Sequence, residues 1–464
     1  MIYENGKVKN LKIAYIGGGS KGWAWKLMSD LASYDDISGD VYLYDIDYRA
    51  AQDNEIIGNK FKGIEGAKSE WNYKAVETIG EALDGANFVV VSIMPGTFDE
   101  MAFDVHTPEK YGIYQSVGDT VGPGGLIRAL RTVPMMEEIA LAVKKYSPNA
   151  WVINYTNPMT VCVDAMYRAF PEIKAFGCCH EVFGTKEFII RILEKIKGIT
   201  GITRDDIKAT VTGVNHFTWL TDVKFRDMDI FPIYKEYCEN NFTDGLTEPS
   251  ADQNWFNKMF RTADMVKMDL FKRFGYIAAA GDRHLAEFCD GNWYLKNPET
   301  VDSWGFGLTN VDWRKERLAE RLERNENLLS GKEEVKIELS GEEGALQIRA
   351  LLGLCDLVTN VNIPNRGQIP NLPLGAVVET NAAFRTDSVS PLYTGPLPAS
   401  IYPLVSRISG ELTAIVDAAV NRDLDAAFAV FTTDMNVNIP LDDARKLFDE
   451  MIEKTAHYLT MYKK

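Results

Sequence analysis

The stretch "LKIAYIGGGSKGWAWKLMSDL" limits the fold more than any other part of the chain. Residues 11–16 form a short, β-rich apolar run. Gly17, Gly19 and Gly22 follow in G-x-G-x-x-G spacing, with Ser20 between them, and a helical pattern then runs to Leu31. In such a loop the first glycine permits a tight turn and the second lets the backbone approach a pyrophosphate. The third lets the helix pack closely on the strand, with the phosphate at the helix N-terminus. A second strand, "DVYLYDID", presents Asp45 at its end. A carboxylate there holds both ribose hydroxyls of an adenosine and favours NAD over NADP. A glycine turn and a solvated aspartate would be the plainer reading, but the strand–turn–helix setting favours the dinucleotide.

Alternation continues downstream. "ANFVVVSI" and "AWVINYTNP" are continuous apolar runs of the kind found in buried parallel strands, and the helix between them opens at "VGPGGLIRALRTVP". This pattern predicts an α/β chain: an N-terminal Rossmann-like, doubly wound parallel sheet over residues 1–200. A second, mixed α+β domain is expected over 201–464. Arg128 and Arg131 are three apart and share a helix face, where they meet either an anion or acidic neighbours. Asn154 and Asn157, in "NYTNP", lie just past a strand's C-terminal end, the edge at which open α/β sheets bind ligands. Asn154 joins Gly17, Gly19, Ser20, Gly22 and Asp45 in the expected NAD site.

Length and charge narrow the partners. A chain of 464 residues is long for one core, and 46% hydrophobic with 25% charged residues suits a globular protein. The net charge of −16 argues against nucleic acid or an anionic membrane as partner. No signal-like apolar segment opens the chain and no run nears the roughly 18 apolar residues of a membrane span, so a cytoplasmic location is expected. The six cysteines are then expected to be reduced.

Cysteine and histidine are sparse, yet "AFGCCHEVFG" places Cys178, Cys179 and His180 side by side after a predicted strand over 174–177. His216, in "VTGVNHFTWL", follows another β-rich run. A thiolate and an imidazole from two strand ends can bind a divalent metal and leave positions open for substrate oxygens. Neither C-x-x-C nor H-E-x-x-H is present, and a buried structural histidine is the alternative. A third polar group, Asp282, Arg283 and His284 in "AAAGDRHLAEF", lies between apolar flanks, as in a segment brought into a cleft.

Taken together, these segments resemble the family 4 glycoside hydrolases. The resemblance spans nearly the whole chain and rests on "IAYIGGGSKGW", "GDTVGPGGLIRALRTVP", "INYTNPM", "CCHEVFG", "GVNHFTW", "GDRHLAEF" and "NRGQIPNLPLGAVVETN". The Cys-His-Glu-Val variant is similar to the α-galacturonidase subgroup of bacilli. This family is an NAD-dependent exception to two-carboxylate glycoside hydrolysis. The resemblance implies oxidation of the sugar at C3 by bound NAD, loss of the acidified C2 proton, elimination of the C1 substituent, addition of water, and reduction of the ketone. It implies Mn(II) on the C2 and C3 oxygens, with Cys179 and His216 as metal ligands and Cys178 as a packed residue. Asn157 matches a substrate-binding asparagine, and His180 becomes a substrate contact and candidate acid. Asp282 is the expected base, ionised without any pKa shift, with His284 as the alternative. Arg283 is expected to pair with a substrate carboxylate. A sugar-acid glycoside is the expected substrate, and a homodimer or homotetramer the expected assembly. The resemblance also implies that the domain over 201–464 serves substrate and metal binding and oligomerisation. An α-glucuronidase, sulfoquinovosidase or α-galactosidase of the same family is the nearest alternative, and a plain NAD-dependent dehydrogenase is a more distant one.

Overall fold

A computed structural model describes residues 1–242 and 262–462. The first strands are β1 (Ile2–Glu4), β2 (Lys7–Ile16), β3 (Ile37–Tyr44), β4 (Trp71–Val76), β5 (Phe88–Val91), β6 (Trp151–Asn154) and β7 (Lys174–Gly177). Strands β2 to β7 run parallel in the spatial order β4-β3-β2-β5-β6-β7, the doubly wound arrangement expected from the sequence. Side chains alternate between the sheet's two faces. Ala14, Ile16, Val89, Val91, Val152 and Ala175 meet the helices Gly122–Tyr146 and Met159–Ala169 in one core. Ile13, Tyr15, Phe88, Val90, Ile153 and Phe176 meet the helices Trp23–Ala32 and Tyr48–Asn59 in another. Burial on both faces explains why β5 reads as four consecutive apolar residues.

A second, antiparallel sheet holds β8 (Ile207–Val214), β9 (Phe217–Phe225), β10 (Met228–Asp229) and β11 (Ile277–Ala278). β8 and β9 form a hairpin whose two-residue turn is Asn215–His216, and both turn residues are buried.

The remaining strands, β12 (Leu357–Pro364), β13 (Val377–Arg385) and β14 (Ser388–Pro391), do not build a separate unit. They extend the first sheet, antiparallel, beyond β7 through the Asn362–Gly177 pairing. β13 also anchors the hairpin, since the Val211 amide donates to Asn381 Oδ1 at 2.8 Å. The C-terminal helices Tyr402–Val420 and Leu441–Lys454 pack into the same core as Gly122–Tyr146. The division expected between 200 and 201 therefore follows chain order, whereas the core is shared across it.

Candidate active site

The site is built from loops at the C-terminal ends of β2, β5, β6 and β7, closed by the β8–β9 hairpin and the segment after β11. Gly17 has φ +90°, and a Cβ there would stand 2.1 Å from the Ser92 carbonyl oxygen, so only glycine fits. Gly22 differs from the sequence expectation. A Cβ there would meet nothing within 4 Å, so its glycine is required by φ +136°, not by packing of helix on strand. The helix it starts, Trp23–Ala32, has no side-chain cap and no acidic residue in its first turn. Its free N–H groups face the loop, as an anion site requires. Asp45 accepts from the Gly19 and Asp47 amides, each at 2.9 Å, and burial raises its pKa. Asn54 fixes the loop from beneath by donating to the carbonyls of Gly18 and Ser20. These residues fit a dinucleotide. Asn154 does not join them. It is fully buried, with its amide donating to Thr156 O at 2.9 Å and accepting from Thr156 N at 3.2 Å, and so shapes the "NYTNP" turn.

Three ligand-type side chains converge beside this loop. Ligand atoms of Asp119, His216 and His284 lie within 4.8 Å of one another. The rings of His216 and His284 stack at 4.1 Å, and Thr120 Oγ1 lies 3.3 Å from His216 Nδ1. Burial, reinforced by His284, pushes the His216 pKa down to about 3. Asp119 stays below the usual carboxylate range because His216 and His284 outweigh its burial. Among the described residues, His284 Nδ1 is buried without a hydrogen-bond partner. The His216 imidazole, held neutral by burial, and the ionised Asp119 carboxylate beside it suit a divalent cation.

Cys179 stands next to this trio and is not a member of it. It is 8% exposed, and burial pushes its thiol pKa up, with Glu379 and Glu181 adding to the shift. The Asn215 side chain lies against the thiol. Asn215 donates to Glu379 Oε2 at 3.1 Å, and Asn360 donates to both Glu379 Oε1 and the Cys179 carbonyl. A network from β12 and β13 thus ties Cys179 to the turn that bears His216. Burial raises the Glu379 pKa to about 7. The Cys178 sulfur faces elsewhere, 3.0 Å from Gln347 Oε1.

The other expected residues divide. Among the described residues, Asn157 Oδ1 is buried without a hydrogen-bond partner, ready to accept from a ligand. His180 is 56% exposed at the mouth, 3.4 Å from Glu342, whose hydrogen bond raises its pKa. Asp282 is not brought to the cluster. Its carboxylate is fully buried and accepts from the Lys267 amide at 3.1 Å, beside Asp264. Burial raises its pKa to about 7, so the expectation of an unshifted, ionised base does not hold. Arg283 is also engaged, donating to the carbonyls of Ser116 and Gly307 and to Thr309 Oγ1. Glu181 is a site residue that the sequence does not single out. Its carboxylate accepts from the Gly281 amide at 2.7 Å and lies 3.6 Å from His284 Nε2. Despite its burial, His284 and His216 bring its pKa down to about 2. Asp119 and Glu379 are two more, although both lie inside motifs that carry the resemblance.

Comparison with known proteins decides the family. Residues 12–195 match the family 4 glycosyl hydrolase model and residues 211–437 match the C-terminal domain model of the same family. The chain belongs to glycosyl hydrolase family 4. Within family 4, it is 56% identical to an α-galacturonidase of Thermoanaerobacterium saccharolyticum, covering 100% of this chain and 99% of that one. An α-galacturonidase of Bacillus subtilis is 48% identical, over 97% and 99% of the two chains. The crystal structure of B. subtilis lplD superposes with a TM-score of 0.90 at 48% identity, over 96% of this chain and 100% of that one. A 6-phospho-β-glucosidase from Thermotoga maritima, solved with manganese, NAD+ and glucose-6-phosphate, shares the fold at TM-score 0.73 and 23% identity, over 97% and 99%.

Proposed function

We propose that this family 4 enzyme is an α-galacturonidase that uses NAD and Mn(II). The observation that carries the reading is full-length identity of 48–56% to α-galacturonidases from four organisms, against 27% to an α-galactosidase. When bound, NAD supplies a hydride acceptor for the sugar's C3–H, and the metal supplies a Lewis acid for the C2 and C3 oxygens. Gly17, Gly19, Ser20 and Gly22 cradle the pyrophosphate, and Asp45 holds the adenosine ribose. Cys179 and His216 would hold the metal, with Asp119 beside His216. Asn157 accepts from a sugar hydroxyl. His284 takes the C2 proton through Nδ1, while ionised Glu181 faces its Nε2 and fixes the tautomer. His180, at the mouth, gives a proton to the departing C1 oxygen.

A homodimer or homotetramer in a reducing cytoplasm completes the reading, in keeping with six unpaired cysteines. Among the described residues no helix is long and apolar enough to cross a membrane. The test is hydrolysis of p-nitrophenyl α-galacturonide, α-glucuronide and α-galactoside with NAD, Mn(II) and a thiol reductant. Galacturonide is expected to be cleaved fastest, with no net NADH. Faster cleavage of another sugar removes the substrate assignment, and accumulation of NADH replaces hydrolysis with a net dehydrogenation.

A further inference from the structure

A galacturonide carries a carboxylate at C6, and an enzyme selective for it needs a cation in the sugar site. Arg283, the residue expected to provide one, is engaged by carbonyls and a hydroxyl. We infer that Arg128 is the residue that binds the substrate carboxylate. The ligand's identity rests on the α-galacturonidase reading, but a buried guanidinium with no ion-pair partner among the described residues is a property of the site itself.

Arg128 and Arg131 share a face of the helix Gly122–Tyr146, and their fates differ. The Arg131 guanidinium pairs with both carboxylate oxygens of Asp104, both side chains being buried, and its Nε donates to Pro95 O at 2.9 Å. Arg128 is 7% exposed, and among the described residues it makes no ion pair. Its Nε–H donates to the Asn157 carbonyl at 3.1 Å, and its terminal nitrogens donate to none of the described residues. A buried guanidinium whose terminal nitrogens have no direct partner is costly, and a ligand that completes it offsets that cost. Its planar fork matches a carboxylate in a bidentate pair.

The neighbours place this fork in the sugar site. The residue whose carbonyl orients Arg128 is Asn157, whose Oδ1 is itself buried with no hydrogen-bond partner among the described residues. A sugar acid between them finds a two-pronged donor for its carboxylate and an acceptor for a hydroxyl. Asp119, in the imidazole cluster, is close enough to interact with Arg128 electrostatically, which ties the fork to the candidate metal site.

The test uses the enzyme loaded with NAD and Mn(II). kcat/KM is measured for p-nitrophenyl α-galacturonide and for its methyl ester, which lacks the charge. Binding of D-galacturonate and D-galactose is measured by calorimetry. Arg128→Gln and Arg128→Lys are expected to lose about 10- to 100-fold in preference for acid over ester, the scale of hydrogen bonds to charged groups. Arg283→Lys is expected to keep that preference. Equal losses on acid and ester would make Arg128 a positioning residue for the Asn157 turn and overturn the inference. Should Arg128→Gln fail to fold, Arg128→Lys and the unaltered enzyme still decide, because equal binding of the two free sugars by the unaltered enzyme also overturns it. Wild-type enzyme that cleaves no galacturonide sinks the substrate reading instead, a result distinct from retained selectivity in the variants.

Discussion

Two adjacent cysteines have sulfurs in different surroundings. Cys178 points at Gln347, while Cys179 lies against Asn215 next to His216. Cys179→Ser should therefore lose bound Mn(II) and activity, and Cys178→Ser should keep both, as read by metal analysis of purified protein. Matching metal loss in the two variants would reject the ligand assignment. Cys179, His216 and Asn157 stand out in the sequence because short motifs mark them, and the structure brings Cys179 and the turn that bears His216 together. Asp119, Glu181 and Glu379 stand inside such motifs too, but a carboxylate there shows its surroundings only when distant segments converge. The surroundings of Asp282 are also invisible in the sequence: its carboxylate accepts from the Lys267 amide beside Asp264, and burial raises its pKa. Glu287, three residues past His284, goes further. Its Oε1 accepts from the Val117 and Gly118 amides, but burial raises its pKa to about 8. A carboxyl whose folded pKa exceeds its unfolded value favours the folded state below the unfolded pKa and loses that stability as pH rises through the folded one. Stability should thus fall between about pH 5 and 8, by up to about 1.4 kcal/mol per pH interval of one for each such group. Denaturant unfolding of Glu287→Gln across that range should give a shallower slope, and an unchanged slope would remove Glu287 from the account.

At the scale of elements, the turn between β2 and its helix is where local sequence and local structure agree best. Strand, glycine turn and helix are readable in order, since backbone conformation and phosphate binding impose the same spacing. The reason for Gly22 is not readable, because conformational need and packing need leave the same letter. Two substitutions separate the loop's tasks. Asp45→Ala removes the carboxylate proposed to hold the ribose, together with its bonds from the Gly19 and Asp47 amides. It alters no strand and should weaken NAD binding by about 2 kcal/mol with little loss of stability. Gly17→Ala forces a Cβ against the Ser92 carbonyl at a positive φ and should destabilise the fold itself by about 2–4 kcal/mol. NAD titration and thermal unfolding of both variants distinguish them, and equal effects on the two readouts would contradict this division. β12 is legible as a strand, but its partner is not. Nothing in its residues says which sheet receives it, and Thr359 to Ile363 are all buried, on both faces of the strand.

At the scale of the whole molecule, that missing partner decides whether the first half can stand alone. Residues 1–200 hold the parallel strands and the dinucleotide loop, so the sequence reads as a self-contained domain. The structure gives three reasons against this. β7 is an inner strand only because β12 pairs with it. The helix Gly122–Tyr146 has its outer face covered by Tyr402–Val420 and Leu441–Lys454, and Tyr462 donates to Leu130 O at 2.6 Å. The segment after helix Val311–Ser330 returns across the other face, where Glu338 exchanges hydrogen bonds with Ser29, and Arg349 pairs with Asp36. Removing 201–462 would strip apolar cover from both faces of the sheet and expose an edge strand, the conditions for aggregation. A fragment of residues 1–200 should therefore lack a cooperative unfolding transition and bind NAD weakly, while mixing it with the complementary fragment should restore both. Sharp thermal unfolding of the isolated fragment, with NAD affinity equal to the intact enzyme, would show that the sheet needs none of its C-terminal strands.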